Sequence, residues 1–327
     1  PLAPKSPHFA PKAKHVIFMF MEGGPTQYEL FDQKPALEKF HGNPLPLSLT
    51  KDLKLAFIKP TAAVMASSFK FQRYGNCGME LSELLPRLGA CADDVCLVRS
   101  MHTDAFNHHP GQLLLFTGST QFGRPTMGAW ALYGLGSESE NLPGFVVLTS
   151  GVGTSGGASN FLSGFLPSHY QGTVFRSSGE PILYLSTPPG VTPETQRGTL
   201  DLIRDLNETR YRSTGDIEIA SRIASYELAA RMQLAAPELV DFSSEPASIR
   251  EMYGIDSDNP ELKQYATNCL LARRRIERGV RFILMMDASW DDHTELNKKL
   301  PRRCRKIEQP TAALITDLKQ RGLLDST

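Results

Sequence analysis

Two apolar runs, one near each end of the chain, constrain the fold most. His15-Val16-Ile17-Phe18-Met19-Phe20-Met21 is unbroken by polar residues after its first position, and so is Phe282-Ile283-Leu284-Met285-Met286 between Arg281 and Asp287. A strand with one face in water alternates polar and apolar residues. A run without alternation predicts a strand buried on both faces, the habit of parallel sheets covered by helices. Each run then breaks into a turn that carries acid. Glu22-Gly23-Gly24-Pro25 follows the first, and Ala288-Ser289-Trp290-Asp291-Asp292-His293 follows the second. Open α/β sheets bind ligands beyond the carboxyl ends of their strands.

The stretch between these runs supplies further elements. Residues 26–76 read as mostly irregular, with Pro35, Pro44, Pro46 and Pro60. Gly78 to Ala92 predicts a helix with Met79, Leu81, Leu84, Leu85 and Leu88 on its apolar face. Val95 to Val98 predicts a strand, and Gly111 to Thr117 a helix closed by Gly118, with Pro110 in its first turn. Leu142 to Leu148 predicts another strand, followed by a Gly/Ser-rich loop from Thr149 to Gly164. A hairpin is expected around Val174 and Leu183-Tyr184-Leu185. Helices are expected over 196–208, 216–235 (Ile217, Ala220, Ile223 and Leu228 on one face), 260–279 and 309–320. Arg273, Arg274, Arg275 and Arg278 read as a solvated helix C-terminus favoured by the dipole. Strands separated by helices or long loops predict a doubly wound, mainly parallel α/β sheet. Residues 1–12 read as an extended Pro-rich linker, and 13–327 as a single α/β domain with a helical and loop insertion over about 150–280.

Charge and cysteines narrow the function classes. Lys+Arg and Asp+Glu balance at 35 each, so the net charge carries no footprint for nucleic acid or an anionic membrane. No apolar run approaches the ~20 residues of a membrane-spanning helix. The five cysteines, Cys77, Cys91, Cys96, Cys269 and Cys304, form no C-x-x-C pair. Most are read as small buried apolar residues, with a disulfide such as Cys91–Cys96 left open. Glu22-Gly23-Gly24-Pro25 is neither a P-loop nor a dinucleotide fingerprint.

The candidate site residues gather at the predicted strand ends. Asp291 and His293 pair hard oxygen with borderline nitrogen, donors that suit a divalent ion such as Zn, Mn or Ca. His102, Asp104, Asn107, His108 and His109 fall in one short segment, with His108 and His109 at the expected start of a helix, where backbone N–H groups favour an anion. His108 and His109 are the candidate catalytic residues. Asn107, Gly23 and Gly24 are candidates for substrate binding. Glu22, Asp291 and His293 are candidates for metal binding.

Several segments together resemble a known family. They are Phe20 to Pro25, Leu30-Phe31-Asp32, Met101 to Asp104 with Asn107-His108, Phe116 to Ser119, Gly123-Arg124-Pro125, Leu142 to Val146 and Trp290 to His293. In these the chain is similar to the bacterial DUF1501 family, placed in the alkaline phosphatase and sulfatase superfamily. The resemblance implies an alkaline phosphatase-like fold with a metal site at the carboxyl edge of the sheet. It implies that Glu22 takes the place of an acidic metal ligand after the first strand, and that Asp291 and His293 take the place of an Asp…His ligand pair. The superfamily's Ser, Thr or Cys nucleophile falls near His108 and His109, where this chain has no hydroxyl or thiol. The Cys-x-Pro-x-Arg sulfatase signature is absent as well. The family usually continues into a Gly-Glu-Phe-Gly-Arg-Thr motif and an Asp-His-His motif. Against that pattern the chain reads as truncated at its C-terminal end. The family's twin-arginine export signals imply an exported, periplasmic protein.

The function expected on these grounds is metal-dependent hydrolysis of phosphate or sulfate esters, with a small-molecule or glycan ester as substrate. The alternative is a non-catalytic binding protein that retains the fold.

Overall fold

A computed structural model describes residues 2–51, 61–151, 153–176, 187 and 189–327. Its strands are β1 (Val16–Met21), β2 (Phe71–Tyr74), β3 (Met79–Ser82), β4 (Phe145–Ser150), β5 (Thr173–Phe175) and β6 (Phe282–Asp287). Its helices are α1 (Gln27–Leu30), α2 (Ala36–Phe40), α3 (Leu47–Thr50), α4 (Pro86–Gly89), α5 (His108–Thr117), α6 (Met127–Leu135), α7 (Pro193–Thr214), α8 (Ile217–Val240), α9 (Ala247–Tyr253), α10 (Pro260–Ile276) and α11 (Leu296–Gln320). No helix among the described residues is long and apolar enough to cross a membrane. The chain forms two compact units, one of residues 1–23, 102–291 and 309–327, the other of 24–101 and 292–308.

The larger unit holds a wholly parallel four-stranded sheet in the order β1-β6-β4-β5. The fold is mixed α/β, as the uninterrupted apolar runs predict. β6 is central and all six of its residues are buried. Side chains alternate across a strand, so Phe145 and Val147 of β4 share one face with Phe282, Leu284 and Met286 of β6. Phe116 of α5 and Ala129 and Leu132 of α6 complete that core. Val146 and Leu148 face the other way and are fully buried. Phe175, in register with Leu148, meets Arg275 of α10 on that side. Helices therefore cover both faces. Burying each such side chain contributes about 2 kcal/mol.

β1 departs from expectation. It is an edge strand among the described residues, and Val16 is exposed. Its apolar run serves one covered face and a partner on one side only. β5, which holds Val174, pairs in parallel with β4. Leu183-Tyr184-Leu185 lies outside the described residues.

The arginine run departs more sharply. Arg273, Arg274 and Arg275 are buried, not solvated. Arg273 bonds Glu245 (2.6 Å), Glu277 (2.8 Å) and Asp317 (2.9 Å). Burial alone would lower its pKa, but the bonds to Glu245 and Glu277 outweigh it and raise it. Arg274 donates to the carbonyls of Asp241 and Glu238. Arg275 is fully buried over the Phe175 ring at 4.3 Å, and burial pulls its pKa down to about 9. α8 buries Ile219 and Met232, while Ile217, expected on the covered face, is exposed.

In the smaller unit, Gly78 to Ala92 is not one helix. Met79-Glu80-Leu81-Ser82 is a strand, antiparallel to β2, and the helix that follows is only α4. Pro86 suits a helix start and not a helix interior. Gly75 and Gly78 take φ of +64° and +67° in the hairpin turn, where glycine is strain-free. The Asp93 carboxylate accepts from the N–H groups of Asn76 (3.0 Å) and Cys77 (2.8 Å) and fastens that turn. Val95 to Val98 is irregular, contrary to expectation, whereas most of the cysteines are buried as expected: Cys91, Cys269 and Cys304 are, Cys77 and Cys96 are not, and all five are free thiols. α11 begins at Leu296, not after Pro310.

Candidate functional site

The register of the parallel sheet aligns Met21, Asp287 and Ser150 at its carboxyl edge. The chain leaves β1 through Glu22, whose N–H donates to the Asp287 carbonyl at 2.9 Å. It leaves β6 through Ala288 and Ser289. Ser289 has φ +83°, a left-handed conformation that costs a non-glycine residue about 1–3 kcal/mol. That bend is held from two sides. The Trp290 indole donates to Asp287 Oδ2 at 2.9 Å, and the Trp290 N–H donates to the Glu22 carbonyl at 2.9 Å. Ser150 Oγ donates to the other Asp287 oxygen at 2.5 Å. Asp287 is thus a buried pin, and the residue it aims is Asp291.

Asp291 Oδ2 lies 3.0 Å from His108 Nε2. His108 opens α5, and Asn107 is its N-cap, with an amide that makes no hydrogen bond there. Both side chains of the pair are about 43% exposed, so the pair faces solvent. His109, in the same turn, lies 3.3 Å from Ser159 Oγ and edge-on to Phe122. Ser159 donates its own proton to the Gly156 carbonyl. His109 Nε2 is then the donor to Ser159, not its base.

One turn further along α5, Gln112 shares the face of His108. Its Nε2 donates to Glu22 Oε1 (2.6 Å) and Ser155 Oγ (2.9 Å). Its Oε1 accepts from Gly156 N (3.1 Å) and Asn160 Nδ2 (2.7 Å). Ser155 N–H also donates to Glu22 Oε1, at 2.7 Å. The Gly/Ser-rich loop is therefore tied to the end of β1 through a buried glutamine.

Of the expected site residues, Glu22, Gly23, Asn107, His108, His109 and Asp291 belong to this unit and gather at its sheet edge. Gly23, at φ +92°, lies against the Trp290–Asp291 backbone, where a Cβ would come within 2.2 Å of Asp291 N. Gly24 and His293 belong to the other unit, and His293 is exposed. There Asp292 is taken by the Arg303 guanidinium, at 2.6 and 2.8 Å. Gln112, Ser155, Ser159, Asn160 and Asp287 had no motif to announce them. The one available signal was the four-residue spacing of Gln112 from His108.

Glu22, Asp291 and His108 are the right kinds of donor for a divalent cation. Among the described residues no group of three or more His, Cys, Asp or Glu side chains is placed to hold one. Glu22 Oε1 is already shared by two donors. The set fits a cation in kind and is not closed around one.

Residues 13–327 match a family described as a protein of unknown function, DUF1501. The chain belongs to the DUF1501 family. No curated relative and no solved structure matches it significantly. The DUF1501 match spans both units, so the sheet edge and the hairpin unit are parts of one family pattern.

Proposed function

We propose that this DUF1501 chain is a hydrolase of phosphate or sulfate esters, with the His108–Asp291 pair at its centre. The observation that carries the reading is that pair, presented to solvent at the carboxyl edge of a parallel sheet. An imidazole is the commonest general acid–base side chain. Asp291 holds His108 Nε2 in its protonated form, which leaves Nδ1 as the base toward a water. The first turn of α5 offers its N–H groups to the anionic ester, and the Asn107 amide beside them makes no cap hydrogen bond. Gln112 and Ser155 fix one oxygen of Glu22 and leave the other to meet a ligand.

A divalent cation belongs to the proposal through the Glu22 and Asp291 carboxylates; when bound, it would polarise the ester oxygen and acidify a water. Kinship with the alkaline phosphatase and sulfatase superfamily and an exported location are parts of the same proposal. They rest on the motif resemblance.

The test is a screen of nitrophenyl phosphate and sulfate turnover, with metal content measured on the same protein. Hydrolysis that falls on the order of 10²–10⁴-fold in His108→Ala, with metal lost in Asp291→Ala, supports the reading. Activity that survives both changes sinks it. Absence of turnover and of bound metal in the unaltered protein favours the binding-protein alternative.

A further inference from the structure

The smaller unit carries an open cavity of about 440 Å³. None of its lining residues belongs to the sheet-edge site. Its lining comes from the β2–β3 hairpin, with Arg73, Cys77 and Glu80, and from residues 95–99, with Val95, Leu97 and Arg99. Ligand pockets join apolar walls to a few placed polar groups, and this one does so. Phe31, Val95 and Leu97, all half-buried, are its apolar part. The charged side chains among the described residues that line it are Arg73, Arg99 and Glu80.

Both arginines have donors to spare. A guanidinium carries five N–H groups. Arg73 meets Glu80, its partner across the strand pair, through Nε at 3.2 Å. Arg99 meets Asp32 through Nη1 at 3.3 Å. Both contacts are at the long end of the hydrogen-bond range. The two arginine side chains are 78% and 62% exposed, and exposed ion pairs are weak. Asp32 is moreover shared with Lys34, at 2.5 Å. Among the described residues, the other N–H groups of Arg73 and Arg99 make no hydrogen bond. Two cations against one carboxylate leave the lining net positive, the sign that draws an anion.

We propose that this cavity binds a small organic oxyanion, its charged head held by Arg73 and Arg99 and its apolar body laid against Phe31, Val95 and Leu97. Guanidinium forks match the paired oxygens of carboxylate, phosphate and sulfate groups. The site is separate from the sheet edge occupied by His108 and Asp291, and it stands whether or not that edge is hydrolytic.

Cys77, a free and exposed thiol on the lining, reports occupancy. Cys96, free and exposed but not a lining residue, is its control. The whole chain is alkylated with iodoacetamide, and the two cysteines are followed separately by peptide mass spectrometry. The probes are phenylphosphonate, an anion with no ester bond to cleave, and benzyl alcohol, a neutral molecule of similar shape. Phenylphosphonate at about ten times its dissociation constant should slow alkylation of Cys77 about tenfold and leave Cys96 unchanged. Benzyl alcohol at the same concentration should slow neither. Arg73→Gln and Arg99→Gln should each raise the half-protecting concentration about three- to tenfold, and the double variant should abolish protection. Both side chains are exposed, so these changes leave the fold intact. A readout at Cys77 is blind to anion bound at the sheet edge. Cys77 alkylation unchanged at tens of millimolar phenylphosphonate, equal slowing by benzyl alcohol, slowing that Cys96 shares, or protection that survives in the double variant would each overturn the proposal.

Discussion

His108 Nε2 and Asp291 Oδ2 meet at 3.0 Å across 183 residues of sequence. Both side chains are about 43% exposed. Exposed pairs contribute under about 1 kcal/mol to stability, whereas loss of an acid–base group costs about 10²–10⁴ in rate. His108→Ala and Asp291→Asn should therefore shift the urea midpoint little and depress ester turnover strongly. A loss of more than about 2 kcal/mol in either variant, with turnover intact, would make the pair a structural tie.

Gly23 and Gly24 are neighbours with similar backbone angles, φ +92° and +76°, but only Gly23 is crowded. Alanine at either position takes on about 1–2 kcal/mol of left-handed strain. At Gly23 the new Cβ also presses into the Asp291 backbone, and overpacking adds about 1–3 kcal/mol. Gly23→Ala should lose about 3 kcal/mol by denaturant unfolding, and Gly24→Ala about 1 kcal/mol. Equal losses would show that the loop after β6 yields to make room.

The sheet was legible because β4 and β6 are buried on both faces, and burial of that kind leaves an uninterrupted apolar run. The ends of α5 were legible, Pro110 marking its first turn and Gly118 its close. The hairpin β2–β3 was not, because Met79 to Leu88 satisfies a helical period as well as a short strand and a turn. Asp291 and His108 were each singled out as site residues, yet nothing local couples a loop after β6 to a helix so distant in sequence. Ser155 reaches Glu22 through its backbone N–H, a group every residue but proline has, so no side-chain pattern could reveal it. The buried arginines were misread for a related reason. Their partners Glu245 and Asp317 lie 28 and 44 residues from Arg273.

Asp93 gives a pH-dependent prediction for the smaller unit. Hydrogen bonds from the Asn76 and Cys77 N–H groups favour its charged form and hold its pKa below the usual 3.8. A depressed carboxylate contributes stability that is complete above the unfolded value and is lost as pH falls through the folded one. Asp93→Ala should therefore melt below the unaltered protein at pH 7. The gap should narrow as pH drops below about 4. A gap that stays constant down to pH 2 would mean that the charged form is not what secures the hairpin turn.

The adjacent arginines of α10 should respond oppositely to the same substitution. Arg273 is buried among acids, with Glu245, Glu277 and Asp317 all in contact. Asp317 in turn accepts from the Tyr253 hydroxyl at 3.0 Å. Arg273→Met removes the cation these acids share and leaves Asp317 and Glu277 to Arg321 and Glu245 to Arg274, a loss of about 3 kcal/mol. Among the described residues, Arg275 is buried with no acid in contact. Its Nη1 donates to the Leu271 carbonyl at 3.0 Å, while Nε and Nη2 have no partner among those residues. Its charge is opposed by burial and by Arg274 and Arg278, and the Phe175 ring offers it a favourable face. Methionine keeps the length and apolar stem and removes the charge, so Arg275→Met should be neutral or stabilising by about 1–3 kcal/mol. Paired urea titrations at pH 7 check both. A loss at Arg275 as large as that at Arg273 would show that its guanidinium has a partner that offsets its desolvation.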